Sequence, residues 1–190
     1  MSWTFFREFL VNWKATGAVA PSSAGLARRM VRDAGIDRAE CILELGPGTG
    51  PFTKVIRSTM PPGARYLGLD LNPAFVAALR RRFPDLRFEI APAQEFDFTE
   101  FLGPDGKFDA IVSGLPWTAF PEALQIAILD QVMPRLREGG ALVTFAYSGF
   151  HLLPNGRRFR ALLRARCWRL GVSPTVWTNL PPAFVYSAVK

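Results

Sequence analysis

Histidine and cysteine are scarce in this chain. One histidine, His151, and two cysteines, Cys41 and Cys167, occur among 190 residues. The two cysteines have no metal-binding or redox spacing, so we expect free thiols, and a single histidine excludes a histidine-rich metal site. No stretch reaches the roughly 18 uninterrupted apolar residues of a membrane span, and no internal repeat is visible. The first apolar run also lacks the basic leader of a signal peptide, so we expect a cytoplasmic protein.

Acidic residues are fewer than basic residues. Lysine and arginine number 23 against 16 aspartates and glutamates, which gives a formal net charge of +7. This excess favours a polyanionic partner, either nucleic acid or an anionic membrane face, although a soluble protein with a high isoelectric point shows the same balance. The length of 190 residues and the hydrophobic fraction of 49% suit one domain with a substantial core.

Strand-like apolar runs alternate with helical segments from Ser23 onward. This alternation predicts an α/β fold with a seven-stranded, mostly parallel sheet and helices on both faces. Only the turn-prone residues 179–182 separate the last two strands, so we expect a closing antiparallel hairpin at the sheet edge. The predicted strands are residues 41–44, 66–70, 86–90, 110–113, 141–147, 172–178 and 183–189. The predicted helices are residues 23–35, 52–58, 73–82, 121–136 and 155–169.

A glycine-rich loop provides the most specific local signal. Residues 43–50 read Leu-Glu-Leu-Gly-Pro-Gly-Thr-Gly between a predicted strand and a predicted helix, so the backbone can approach a ligand closely beside a helix N-terminus. The spacing differs from the dinucleotide pattern G-x-G-x-x-G, and no lysine follows as in a phosphate-binding P-loop. Asp70 ends the next strand, where a carboxylate accepts both hydroxyls of a ribose. The pattern therefore predicts one nucleoside across two strand ends, and a plain tight turn is the alternative.

This combination resembles the Rossmann-like, class I S-adenosylmethionine-dependent methyltransferases. Glu44, Gly46, Gly48 and Gly50 match their first motif, and Asp70 matches their second. The resemblance implies that S-adenosyl-L-methionine binds without a metal and leaves as S-adenosyl-L-homocysteine. It places Asp70 on the ribose and the glycine loop against the methionine part. It also implies further cofactor contacts, at Thr16, Gly17, Leu71, Ala93, Gln94 and Ser113.

The adenine pocket departs from the pattern of this family. Its members often carry Gly-Asp-Ala after the third strand, and the aspartate binds the adenine amino group. Here the stretch reads Ala91-Pro92-Ala93-Gln94-Glu95, so Pro92 stands where that aspartate would be. Gln94 and Glu95 are the candidates for the adenine contact, with an ordinary loop role as the alternative for Gln94.

The fourth predicted strand ends in Ser113-Gly114-Leu115-Pro116-Trp117. This segment resembles the Asn-Leu-Pro-aromatic segment of the ribosomal RNA adenine dimethylases, whose asparagine aligns with Gly114. A flipped base would lose a hydrogen-bond partner for its polar edge at a glycine. The segment therefore argues against a nucleic acid base as the methyl acceptor, but not decisively.

Three blocks together resemble the bacterial phospholipid N-methyltransferases. They are residues 14–23 (Lys-Ala-Thr-Gly-Ala-Val-Ala-Pro-Ser-Ser), 113–116 (Ser-Gly-Leu-Pro) and 179–183 (Asn-Leu-Pro-Pro-Ala), so the resemblance covers nearly the whole chain. It implies methylation of the headgroup amine of phosphatidylethanolamine, in up to three steps, to phosphatidylcholine. Ornithine-lipid N-methyltransferases look similar and stay open as an alternative. Ribosomal RNA adenine dimethylation and a non-catalytic membrane adaptor are the other hypotheses.

The first fourteen residues carry an amphipathic helical pattern. At helical spacing most polar residues face away from an apolar side that comprises Trp3, Phe5, Phe6, Phe9, Leu10 and Trp13. Such a helix is too short to span a bilayer but suits its interface, where tryptophan lies at headgroup level. We therefore divide the chain into a membrane-binding segment, residues 1–20, and a methyltransferase domain, residues 21–190. A peripheral protein on the cytoplasmic face of the membrane is expected, and a helix docked on the sheet is the alternative.

Methyl transfer to an alkylamine requires a neutral amine aligned with the methyl donor. A primary alkylamine has a pKa of about 10.4 in water, and desolvation beside a positive sulfonium lowers that pKa. We expect backbone carbonyls at Gly114 and Leu115 to orient the amine, with assistance from Tyr147 and His151 after the fifth strand. Trp117 is expected to offer its π face to the methylated ammonium. The expected partners are an anionic membrane surface and a phospholipid, with no nucleic acid, and no protein partner is inferred.

Overall fold

The computed structural model describes residues 23–190. A seven-stranded sheet runs through this part of the chain in the order β3-β2-β1-β4-β5-β7-β6. The strands are β1 (Cys41–Leu45), β2 (Arg65–Asp70), β3 (Arg87–Ile90), β4 (Phe108–Ser113), β5 (Leu136–Tyr147), β6 (Arg169–Val172) and β7 (Ala183–Val189). The helices are α1 (Ala24–Asp33), α2 (Pro51–Thr59), α3 (Pro73–Arg82), α4 (Thr99–Leu102), α5 (Glu122–Val132) and α6 (Pro154–Arg164).

The first five strands are parallel, and β7 lies antiparallel between β5 and β6. The predicted α/β fold with a C-terminal antiparallel hairpin is therefore confirmed. Strand order reverses between β1 and β4, each of which pairs directly with the other. In open α/β sheets, ligands bind at such a switch point, beyond the carboxyl ends of the strands.

Buried side chains fill both faces of the sheet. One apolar cluster joins the sheet to α1, α2 and α3, and the other joins it to α4, α5 and α6. All five residues of β1 are buried, as expected of a central parallel strand covered on both faces. Ser23 caps α1 with its hydroxyl, which accepts a hydrogen bond from the Leu26 amide at 3.2 Å. Because helices cover both faces of the sheet, the loops lie at the two ends of its strands.

Two predicted boundaries around β5 are wrong. The predicted helix 121–136 ends at Val132 and passes through a 3₁₀ turn, Met133–Arg135. Pro134 has no amide hydrogen and its ring blocks the preceding turn, so an α-helix does not continue through it. Strand β5 then begins at Leu136, five residues before the predicted start.

The last helix and the following strand also differ from the prediction. Helix α6 ends at Arg164, not at residue 169, and β6 occupies Arg169–Val172 in place of the predicted 172–178. The Trp168 amide already donates to the Val189 carbonyl at 3.0 Å, which starts pairing with β7 early. Pro174 cannot donate to the ladder, so regular pairing stops before it, and only an isolated bridge from Val176 to Ala183 follows.

The predicted amphipathic helix, the segment 1–20 and the predicted cofactor residues Thr16 and Gly17 lie outside the described residues. Within residues 23–190, no helix combines the length and the hydropathy that crossing a bilayer requires. The same part of the chain contains no group of three or more His, Cys, Asp or Glu side chains placed to hold a metal ion. Cys41 and Cys167 are free thiols, as expected.

Candidate active site

The glycine loop lies at the switch point of the sheet, between β1 and α2. Gly46 and Gly48 have φ angles of 67° and 58°, a left-handed conformation that favours glycine. The Gly46 amide donates to the Leu69 carbonyl at 2.8 Å, which fixes the loop to β2. A Cβ atom added at Gly48 would meet nothing within 4 Å. The backbone at this position is therefore open to a ligand.

Asp70 ends β2 directly beside this loop. Its Oδ2 accepts a hydrogen bond from the Gly48 amide at 2.8 Å, and its Oδ1 accepts one from the Asn72 amide at 2.9 Å. A carboxylate accepts up to about four hydrogen bonds, so ribose hydroxyls can bind in addition to these amides. The structure thus brings together the loop and the carboxylate that the sequence pairs, and the ribose contact stays a prediction.

Glu44, on β1, is completely buried beneath the glycine loop. The hydroxyls of Thr53 and Tyr66 donate to its Oε2 at 2.9 and 2.5 Å, whereas its Oε1 is buried with no hydrogen-bond partner among the described residues. Burial raises the pKa of this carboxyl to about 7, against the opposing effect of the two hydrogen bonds, and the charge of Asp70 adds to the rise. A buried unpaired oxygen is costly unless a ligand satisfies it.

Tyr66 is a member of this site that the sequence analysis missed. It is buried and lies on the same face of β2 as Asp70, four residues earlier. Burial and the neighbouring charge of Glu44 raise the pKa of its hydroxyl, which therefore stays protonated and donates. The only signal in the sequence is the period-two alternation that puts residues 66, 68 and 70 on one face.

The end of β3 and the turn after it lie beside Asp70, where the sequence predicts the adenine contact. Ala93 is buried, and the Gln94 amide donates to the Glu95 carboxylate at 3.3 Å across the surface. Ile90 is 49% exposed and pairs in register with Asp70, so it offers an apolar surface beside this carboxylate. The sequence analysis did not single out Ile90, because an apolar residue at a strand end looks like part of the core. Leu71 is half-buried next to Asp70.

Ser113 and Trp117 lie inside the core. Trp117 is 1% exposed, and its ring stacks on Phe159 of α6 with centroids 4.6 Å apart. Its indole N–H donates to the buried Ser113 hydroxyl at 3.0 Å, so this hydroxyl positions the indole. The predicted contacts of Ser113 with the cofactor and of Trp117 with the methylated ammonium stay predictions.

Gly114 and Leu115 contact the glycine loop. The Gly114 amide donates to the Leu45 carbonyl at 2.8 Å. A Cβ atom at Gly114 would lie 2.7 Å from the Gly46 carbonyl oxygen, and one at Gly46 would lie 2.8 Å from Cδ2 of Leu115. The contact at position 114 is with backbone that cannot yield, so it requires glycine, whereas the Leu115 side chain near Gly46 can move. Gly46 is favoured instead by its left-handed φ of 67°.

Tyr147 and His151 lie at the same end of the sheet, where the parallel strands have their carboxyl ends. Tyr147 ends β5, its ring lies edge-on to Phe150, and burial raises the pKa of its hydroxyl. His151 lies in a 3₁₀ turn, Phe150–Leu152, with its ring edge-on to Phe184 at 4.8 Å. Its Nδ1 atom is buried without a hydrogen-bond partner among the described residues. Their assisting roles stay predictions.

The fold and the candidate site at the carboxyl ends of its strands are those of a class I methyltransferase. Residues 42–140 match the family described as "Methyltransferase domain", which is more than half of the chain, so the chain belongs to that family. It is 38% identical over 139 residues to ornithine lipid N-methyltransferase of Singulisphaera acidiphila, covering 72% of each chain. It is 33% identical over 104 residues to ribosomal RNA small subunit methyltransferase A of Maridesulfovibrio salexigens, covering 55% of this chain and 38% of that longer protein.

A solved structure reproduces the whole fold. The TehB-like SAM-dependent methyltransferase of Corynebacterium glutamicum superposes with a TM-score of 0.65 over 100% of both chains, at 19% identity. The cofactor of this class is S-adenosylmethionine. Three features of the site fit it: the open backbone at Gly48, the carboxylate of Asp70 beside it, and the unpaired Oε1 of Glu44 below, where a cationic amino group would bind.

Proposed function

We propose that this chain is a lipid-amine N-methyltransferase, with the headgroup amine of phosphatidylethanolamine and its mono- and dimethyl forms as acceptors, leading towards phosphatidylcholine. The observation that carries the proposal is the 38% identity, over 72% of both chains, to an enzyme named for a lipid amine. Because that relative is named for ornithine lipid, ornithine lipid is the second candidate. Both lipids present a primary alkylamine, so the same acceptor site suits either.

Bound S-adenosylmethionine supplies an electrophilic methyl group, and the chain has to align a neutral amine with it. The Leu115 carbonyl already accepts a hydrogen bond from the Trp117 amide at 3.0 Å. No amide or side chain of residues 23–190 donates to the Gly114 carbonyl, although Gly114 touches the cofactor loop. Gly114 is therefore the better acceptor for an amine N–H. Removing the amine from water lowers its pKa and favours the neutral form.

Tyr147 and His151 complete the proposed machinery. The Tyr147 hydroxyl stays protonated because burial raises its pKa, so it suits donation to the phosphate of a phospholipid headgroup. The proton that the amine releases leaves to water, with His151 as the side chain proposed to assist. Neither residue needs to be a strong base, because the amine loses its proton before the methyl is transferred.

The contact between the two loops favours a lipid amine over an RNA base. A Cβ atom at position 114 would press on the Gly46 carbonyl oxygen, so the asparagine of the RNA dimethylases does not fit here without a backbone shift. Without that asparagine, an adenine would leave its polar edge short of partners. A flexible alkylamine makes no such demand.

Five exposed apolar side chains lie in the loops after β5 and before β7, at the end of the sheet where Gly114 lies. We call them the apolar rim: Phe150, Leu152, Leu153, Trp177 and Leu180. The rim holds together through backbone contacts, since the Ser148 amide donates to the Pro182 carbonyl at 2.8 Å. The Ser23 amide donates to Oδ1 of Asn179 at 2.9 Å, so the first described residue lies next to this rim.

We infer that the rim and the N-terminal segment dock together on an anionic bilayer at the cytoplasmic face. The net charge of +7 favours such a surface. Exposed leucine and tryptophan side chains gain free energy by entering the interface. Docking at this edge would bring lipid headgroups to Gly114 without removing the lipid from the membrane.

The acceptor is tested with purified full-length protein and labelled S-adenosylmethionine. Four incubations contain phosphatidylglycerol vesicles with phosphatidylethanolamine, the same vesicles with ornithine lipid, phosphatidylglycerol vesicles alone, and total RNA. We expect label in the mono-, di- and trimethylated products of phosphatidylethanolamine, separated by chromatography. Label confined to ornithine lipid would select the second candidate, and label in RNA would overturn the proposal.

Two tryptophans provide a matched test of the rim. Trp177 is 77% exposed at the rim, whereas Trp168 is 70% exposed at the opposite edge of the sheet, where its amide bonds to Val189. We expect Trp177→Ser to weaken binding to phosphatidylglycerol vesicles roughly tenfold and Trp168→Ser to leave it unchanged. Deletion of residues 2–20 should weaken binding further. Equal effects of the two substitutions, measured by vesicle co-sedimentation, would contradict docking at this edge.

A further inference from the structure

Tyr66 is a buried phenol that the proposed reaction does not use. It lies beneath the glycine loop, 3% exposed, with its ring edge-on to Phe88 at a centroid distance of 5.4 Å. Its hydroxyl donates to Oε2 of Glu44 at 2.5 Å. A buried tyrosine hydroxyl needs a hydrogen-bond partner. Here the partner is the acidic side chain of the glycine-loop motif, which suggests a functional role for the hydrogen bond.

Strand β2 leaves space for this phenol. A Cβ atom added at Gly68 would lie 2.9 Å from the Tyr66 hydroxyl oxygen and 2.7 Å from Cδ1 of Phe88. Gly68 lies two residues after Tyr66, on the same face of the strand. The absence of a side chain at position 68 therefore allows the ring to lie flat along β2 and its hydroxyl to reach across to β1.

The two oxygens of Glu44 are treated differently. Oε2 accepts from both Tyr66 and Thr53, whereas Oε1 accepts nothing within residues 23–190 although it is buried. Two donors on one oxygen fix the rotation of the carboxylate. The other oxygen is then held in one direction, with its desolvation uncompensated until a donor arrives.

We propose that Tyr66 is a positioning residue for the cofactor, holding the Glu44 carboxylate fixed and ionised so that Oε1 can receive the cationic methionine end of S-adenosylmethionine. This proposal concerns the methyl donor and holds for any acceptor, so it stands apart from the lipid proposal above. Tyr66 itself touches Glu44 and not the cofactor.

The electrostatics of the pocket set the direction of the effect. The groups that face Glu44 are the hydroxyls of Tyr66 and Thr53 and the Thr53 amide, which favour its ionised form, and the charge of Asp70, which disfavours it. With burial included, its pKa is about 7, so at neutral pH the carboxyl is protonated in about half of the molecules. A cationic ligand selects the ionised half, and binding near pH 7 therefore releases about half a proton.

The test is calorimetric binding of S-adenosylhomocysteine, which carries the same amino group and is not turned over, to the full chain between pH 6 and 9. Removing the Tyr66 donor in Tyr66→Phe should raise the pKa of Glu44 by about one unit. We expect binding about fivefold weaker at pH 7, converging with the wild type at pH 9. Proton release at pH 7, measured in buffers of different ionisation enthalpy, should rise from about 0.5 to about 0.9.

Matched variants separate positioning from packing. Tyr186 is a second buried tyrosine, packed between Phe159 and Phe184, and its hydroxyl has no hydrogen bond to the described residues. Tyr186→Phe should therefore leave the pH profile and proton release unchanged. Thr53→Val removes the other donor to Oε2 and should shift the profile in the same direction as Tyr66→Phe.

The decisive comparison is between wild type and Tyr66→Phe in how the affinity for S-adenosylhomocysteine changes with pH. If Tyr66→Phe weakens binding equally at every pH, or changes neither affinity nor proton release, the positioning role is wrong. Should Tyr66→Phe not fold, as judged by circular dichroism, an unchanged profile in Thr53→Val would overturn the proposal by itself.

Discussion

Replacement of Glu44 with glutamine should change how the free energy of unfolding depends on pH, by an amount that follows from the pKa of this one buried group. The pKa of Glu44 rises from 4.5 to about 7 on folding, mainly through desolvation. Because the folded state holds this proton more tightly than the unfolded state, the group stabilises the fold most below about pH 4.5. That contribution is lost between about pH 4.5 and 7 and stays lost above, at a total of about 3 kcal/mol.

Glutamine mimics the protonated carboxyl in size and charge, so Glu44→Gln should remove this pH dependence. We expect the difference in unfolding free energy, variant minus wild type, to rise by about 2.5 kcal/mol from pH 5 to pH 8. For a chain of this length that equals roughly 5–10 °C in melting temperature. The variant should also bind S-adenosylhomocysteine more weakly, because it lacks the negative charge. Stability gained at the expense of binding is expected when a strained group serves function.

The assay is urea unfolding of the cofactor-free protein at half-unit steps between pH 5 and 8.5, for both proteins. Other titrating groups contribute equally to the two curves, so their difference isolates Glu44. A small constant offset is expected from the buried amide and does not matter. A difference that stays flat across this range would refute the assignment of a raised pKa to Glu44.

Three further predictions concern the loops around the site. Asp70→Ala should weaken S-adenosylhomocysteine binding at least tenfold by calorimetry, because the predicted ribose acceptor is lost, together with the partner of the Gly48 amide. Gly114→Asn should destabilise the fold by about 1–3 kcal/mol, since its Cβ would press on the Gly46 carbonyl. It should also abolish lipid methylation without creating RNA methylation in a labelled-donor assay. Ser113→Ala leaves a buried indole N–H without its acceptor and should cost about 1–3 kcal/mol in urea unfolding, with cofactor affinity kept. Weaker cofactor binding by Ser113→Ala would contradict this expectation and support the predicted contact of Ser113 with the cofactor.

The central part of the fold was predictable because strand β1 is short and fully buried. In β1, apolar residues on both sides of Glu44 precede three glycines within five residues, which indicates a central strand that leads into a ligand loop. The boundaries near Pro134 and Pro174 were less predictable. The apolar pattern of the predicted helix 121–136 continues past Pro134, and that of the predicted strand 172–178 continues past Pro174. In both places the backbone consequences of proline decide where the element ends.

The amino-acid sequence by itself determined the class of this protein, the glycine loop and its pairing with Asp70. These follow from local backbone chemistry and from the rule that parallel strands end on one edge of a sheet. Only the tertiary structure decided that Trp117 faces the core, that Tyr66 reaches Glu44 and that Gly114 presses against Gly46. Each of these is a contact between residues far apart in the chain or a choice between two faces. Such choices are made by the packing of side chains, which no local pattern encodes.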